Sequence, residues 1–191
     1  MKKQFQFFQT VPGVGIITVF LLMIPFVAMQ ITNEVNWSTT DFLLVGILLF
    51  SSGLTFVLVT RNSANLIYRI AMGSAIGITL LLVWVNLAVG LIGSGPHAGN
   101  LMYIGVLIIV ISGIFISRFN AHGMQLTMFG TALSLVVIAV IALLLNMDDY
   151  PGSSVTEIIG VNAFFGTLFL ISGLLFRHVS LEQSGNSEEK A

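Results

Sequence analysis

The sequence predicts an all-α fold: an integral-membrane bundle of six transmembrane helices. Three observations carry this. The 191-residue chain is 56% hydrophobic and only 8% charged, with a mean hydropathy of +1.01, whereas an ordinary soluble domain is about 25% charged. Six apolar stretches each approach the roughly 20 residues that a helix needs to cross about 30 Å of hydrocarbon. The charges fall at span ends, in the segments between spans or in the termini. Backbone groups left unpaired in lipid are too costly for strands with open edges, so these stretches are helices.

Taken in order, the first span covers about 14–32. Its start, MKKQFQFF, resembles a signal peptide, but no small-x-small cleavage pattern follows, so it reads as a retained helix. Pro12 falls ahead of this span, and Pro25 falls inside it, where a kink is expected. The second span, 42–60, follows NEVNWSTTD, and the third, 68–92, follows RNSAN. The fourth, 101–118, follows GSGPHAGN, and the fifth, 123–146, follows RFNAHG. The sixth, 157–176, follows MDDYPGSS. These spans form one domain, 1–180, and residues 181–191 (LEQSGNSEEKA) are expected to be a disordered tail.

The charges orient the chain. Lys2, Lys3, Arg61, Arg69, Arg118, Arg177 and Lys190 all fall on one side of the six spans. Glu34, Asp41, Asp148, Asp149 and Glu157 fall on the other. Basic loops stay in the cytoplasm, so both termini are expected there. The arginines Arg61, Arg69, Arg118 and Arg177 then form an inner rim suited to anionic lipid, at about 1 kcal/mol per charge.

Ser-Gly pairs recur at Ser52-Gly53, Ser112-Gly113 and Ser172-Gly173, each in an even-numbered helix and each followed by a phenylalanine and an arginine. This suggests three two-helix repeats. Chance recurrence is the competing account, since Ser94-Gly95 and Ser184-Gly185 lie outside the pattern. Small residues also let helix backbones approach closely in lipid. Gly73 with Gly77, Gly46 with Gly53, and Gly166 with Gly173 are candidate notches.

Chemistry is sparse. With no cysteine there is no disulfide, thiolate metal site or thiol nucleophile. No charge lies in mid-span, which argues against a proton relay or an ion-coupled pump. His97 falls in an outer loop, and His122 and His178 near the inner surface, too far from mid-membrane for haem and without a carboxylate for a metal. No catalytic motif and no basic tract for nucleic acid are present. No cofactor, metal or catalytic residue is therefore assigned. The intramembrane polar residues remain. Thr79 and Asn86 share a small, polar stripe of the third helix, and Asn162 lies in the outer half of the sixth. Asn86, Thr79 and Asn162 are candidates either for helix–helix contacts or for lining an outward-facing vestibule.

The stretch WVNLAVGLIGSGPHAGNLMY leaves two alternatives open. If the third helix ends near Gly90, Trp84 is an interfacial anchor, and Leu91 and Ile92 dip back at the bilayer edge. If it ends near Gly93, Trp84 lies deeper. Gly93, Gly95, Pro96 and Gly99 are turn formers in either case.

At WVNLAVGLIGSGPHAGNLMYIGV and RFNAHGMQLTMFGTAL the sequence resembles a group of small multi-span bacterial inner-membrane proteins without an assigned activity. The resemblance covers about 78–135, and the loop SGPHAGN departs from the group's usual loop. It implies a bacterial cytoplasmic membrane and at most six helices, and it transfers no site residue. The functional expectation is a non-enzymatic scaffold, accessory subunit or interaction partner of a membrane complex, with a membrane-protein partner or a second copy of itself. The alternative is a passive channel or transporter for a small neutral or amphipathic solute near Asn86 and Asn162.

Overall fold

The computed structural model describes the backbone of residues 2–93 and 97–188 and the side chains of 11–93 and 97–185. The described residues form six α-helices and no strands. They are α1 (Lys2–Ile31), α2 (Thr39–Thr60), α3 (Leu66–Ala88), α4 (Met102–Ser117), α5 (Ala121–Leu144) and α6 (Val155–Glu188). All six are long and apolar enough to span a membrane, α4 together with the 3₁₀ turn Ala98–Leu101 that leads into it. The turn matters for reach. The 16 residues of α4 cover only about 24 Å at 1.5 Å per residue, and the turn extends this toward the hydrocarbon thickness.

The chain divides into two compact units, Met1–Ser63 and Ala64–Ala191. The first is the α1–α2 hairpin. Ser38 caps α2: its hydroxyl accepts from the Asp41 N–H at 3.3 Å, while the Asp41 carboxylate accepts from the Ser38 N–H at 2.7 Å. Trp37, just before the cap, packs edge-on against Phe42, with ring centroids 5.2 Å apart. Cap and staple together fix where the chain re-enters the helix. Gly53 lets α2 come close to α1, since a Cβ there would lie 2.7 Å from Val14 Cγ1. Both Pro12 and Pro25 lie inside α1, which starts at Lys2 rather than after Pro12.

In the second unit α6 is central. It packs on α5 and on α3, and α5 packs in turn on α4. The dipeptide Ser172-Gly173 serves both neighbours of α6. The buried Ser172 hydroxyl donates to the Ala71 carbonyl of α3 at 3.1 Å. A Cβ on Gly173 would collide with Phe129 of α5. Tyr103, Phe169, Phe176, Met72 and Leu82 are fully buried here. Gly113 of α4 meets Thr127 of α5, 2.8 Å from where the glycine's Cβ would sit to the Thr127 Cβ. Gly53, Gly113 and Gly173 are thus all close-approach points, but toward a preceding, a following and a preceding helix. Gly77, by contrast, has nothing within 4 Å of where a Cβ would sit, so it is no packing notch within its own unit.

The α4–α5 turn is tight enough to need left-handed backbone at two non-glycine residues, Arg118 (φ 48°) and Phe119 (φ 62°). The Tyr68 hydroxyl of α3 donates to the Phe119 carbonyl at 2.7 Å and holds this turn. The sequence reading ends order near Ser180, but α6 continues to Glu188. His178 and Glu182, four residues apart, face each other at 3.4 Å along this extension.

Candidate binding cleft

α3 stops at Ala88, and Gly90 (φ 81°) turns the chain in the left-handed region. The next two residues fold inward: Leu91 is 5% and Ile92 0% exposed. This is the first of the two alternatives left by the sequence, with the helix ending near Gly90. Gly93 (φ 68°) makes a second left-handed turn. Gly95 and Pro96 lie outside the described residues, as does the Ser94-Gly95 pair.

Burying Leu91 and Ile92 strands their backbone groups unless something pairs them. Asn100, in the 3₁₀ turn, does so. Its Oδ1 accepts from the Leu91 N–H at 2.8 Å and the Ile92 N–H at 2.9 Å, and its Nδ2 donates to the Ile92 carbonyl at 3.2 Å. One buried amide side chain thus replaces a missing stretch of secondary structure. The sequence reading did not single out Asn100. Its only signal was an asparagine beside Gly99 at a helix start, which is common. The 3₁₀ turn is itself ordered by His97, whose Nδ1 accepts from the Gly99 N–H at 3.0 Å. The His97 ring lies over Tyr150 of the α5–α6 connection, with centroids 3.9 Å apart.

Because α3 and α4 each pack on another helix and not closely on each other, a cleft of about 740 Å³ remains between the end of α3 and the start of α4. That is within the size range of small-molecule sites, about 300–1,000 Å³. Its walls are mainly aliphatic. Four of the residues that line it, Leu87, Val89, Leu101 and Ile104, are large, apolar and well exposed, from 48% to 64%. Its polar side chains are Asn86, His97, Asn100 and Tyr103, and among the described residues no Asp, Glu, Lys or Arg lines it.

Two of the three predicted polar residues go separate ways. Asn162 is 3% exposed and pairs with Tyr103. Its Nδ2 lies 3.0 Å from the Tyr103 hydroxyl and 2.8 Å from the Ile158 carbonyl, and the Tyr103 hydroxyl lies 3.2 Å from Asn162 Oδ1. This is a closed clamp joining α4 to α6. Thr79 returns its hydroxyl to the Ala75 carbonyl of its own helix at 2.8 Å. Asn86 alone lines the cleft. Its Nδ2 donates to the Asn100 carbonyl at 3.3 Å, while its Oδ1 is buried and has no hydrogen-bond partner. The amide cannot be turned over to remedy this, because the Asn100 carbonyl accepts and would then face an oxygen. An unpaired buried acceptor costs about 1–3 kcal/mol.

At the other end of the unit, Tyr68 touches both Phe119, through its hydrogen bond, and Phe176, edge-on at 5.8 Å. Arg69, Arg118 and Arg177 are the chain neighbours of these three residues and all are exposed. The contacts therefore bring three of the four predicted rim arginines to one end. Arg61, also exposed, belongs to the other unit. Among the described residues no group of three His, Asp or Glu side chains is placed to hold a metal. Comparison of the chain with protein-family profiles, curated proteins and solved structures finds no match.

Proposed function

We propose that this is a non-enzymatic multi-pass protein of a bacterial cytoplasmic membrane that binds a small amphipathic molecule in the α3–α4 cleft. The observation that carries this reading is the cleft's composition. A site rimmed by Leu87, Val89, Leu101 and Ile104 is entered more easily from hydrocarbon than from water, and the few polar groups inside orient what enters. The charge pattern supports an orientation with both termini in the cytoplasm and Arg61, Arg69, Arg118 and Arg177 toward anionic headgroups. The cleft then lies at the opposite, outer end of α3 and α4.

The test is photolabelling of the full chain in nanodiscs with a long-chain alcohol carrying a diazirine on its tail. Adducts are expected to concentrate on residues 82–107 and to be suppressed by Ile104→Trp, which fills the cleft. Adducts spread over all six helices in proportion to their exposed apolar surface would overturn the reading.

A second reading, a scaffold or accessory subunit in a membrane complex, draws on the α1–α2 hairpin. None of the apolar stretch of α2 and only 11% of that of α1 is buried within this chain. That reading expects a stoichiometric membrane-protein partner, or a second copy of the chain, to co-purify in mild detergent. A monodisperse single chain would remove it.

A further inference from the structure

Resting on the cleft reading above, we propose that the ligand of the α3–α4 cleft is uncharged and carries a hydrogen-bond donor, a hydroxyl or amide N–H, on its polar head, and that Asn86 Oδ1 is its acceptor. The other side-chain acceptors of the cleft already have partners. Asn100 uses its side chain to hold Leu91 and Ile92. The Tyr103 hydroxyl is paired with Asn162. His97 Nδ1 accepts from Gly99. Asn86 Oδ1 is the cleft's buried side-chain acceptor without a partner, and only a donor satisfies it.

Charge is excluded by the same inventory. With no Asp, Glu, Lys or Arg among the described lining residues, a phosphate, carboxylate or ammonium head would be desolvated without a counter-charge. An ether or ester head enters the apolar space equally well but leaves Oδ1 unpaired. Oδ1 is closed to solvent in this structure, so Asn86 turns its amide toward the cleft to receive the donor; the 3.3 Å Nδ2 bond it gives up leaves the Asn100 carbonyl still paired, because that carbonyl also accepts from the Met102 N–H.

The inference separates from the reading it rests on by a matched pair of competitors. The photoreactive alcohol bound to the full chain in nanodiscs is displaced with decanol and with decyl methyl ether, which differ mainly in the donor. In the wild type decanol is expected to displace at about five- to tenfold lower concentration, the worth of one hydrogen bond. In Asn86→Leu the two should become equivalent while both still displace. Equal displacement in the wild type overturns the donor-headed ligand and leaves the cleft reading standing. A preference for decanol that survives in Asn86→Leu overturns Asn86 as the acceptor. Failure of both compounds to displace, or of the probe to label the cleft at all, overturns the inference and the cleft reading together. Circular dichroism and size-exclusion profiles of Asn86→Leu matching the wild type establish that the variant is folded.

Discussion

Asn86 and Asn162 are the same residue type on two apolar helices, yet they do opposite things. Asn162 completes a buried clamp with Tyr103, so Asn162→Leu should leave the Tyr103 hydroxyl without a partner and destabilise the protein by about 1–3 kcal/mol. Adding Tyr103→Phe should restore most of that loss, because removing both polar partners is far less damaging than removing one. Asn86 holds an unpaired acceptor and one long hydrogen bond, so Asn86→Leu should leave thermal stability unchanged or raise it. Thermal unfolding in detergent of the single and double variants measures all three. A loss at Asn86→Leu as large as that at Asn162→Leu would show that Asn86 is structural glue. From the sequence both residues are legible as polar groups on apolar helices. Which one finds a partner is not, because the partners, Tyr103 and the Asn100 carbonyl, lie 59 and 14 residues away.

At the scale of helices, apolar length located the elements well. The ends of α2 and α3 differ from the predicted spans by a few residues where capping groups intervene, whereas α1 begins twelve residues ahead of its predicted span. α2 starts at Thr39 because Ser38 and Asp41 cap each other. α3 stops at Ala88 because Gly90 turns left-handed and Asn100 takes over the backbone pairing. Hydropathy cannot see the extension of α6 to Glu188, since those residues are polar. The glycines make the same point. Gly77 and Gly113 are both helical glycines in apolar runs, but only Gly113 has a neighbouring helix against it. Gly113→Ala should therefore destabilise by about 1–3 kcal/mol through overpacking on Thr127. Gly77→Ala should be neutral or stabilising by up to about 1 kcal/mol through helix propensity. Parallel denaturation of the two variants tests this, and equal effects would contradict the packing assigned to α4 and α5.

For the whole molecule, the asymmetry of charge makes the firmest expectation. A reporter fused after Ala191 should be cytoplasmic, and one inserted beside Asp148 should be outside. Either one found on the wrong side of the membrane would reject the orientation and, with it, the outer position of the cleft. Composition and charge order by themselves determined that the chain is all-helical, that it has six stretches long and apolar enough to span a membrane, and where they break. These follow because hydrophobic length and turn chemistry are local properties, readable one segment at a time. Only the tertiary structure decided that α6 is the central helix of the second unit, that Ser172-Gly173 serves two neighbours, and that α3 and α4 leave a cleft between them. It alone showed that Asn86 lines that cleft and carries a buried, unpaired oxygen while Asn162 is sealed in a clamp. In apolar helices of nearly uniform hydropathy, no face is marked in advance as the buried one. Which face meets a partner is set by close packing between residues far apart in the chain.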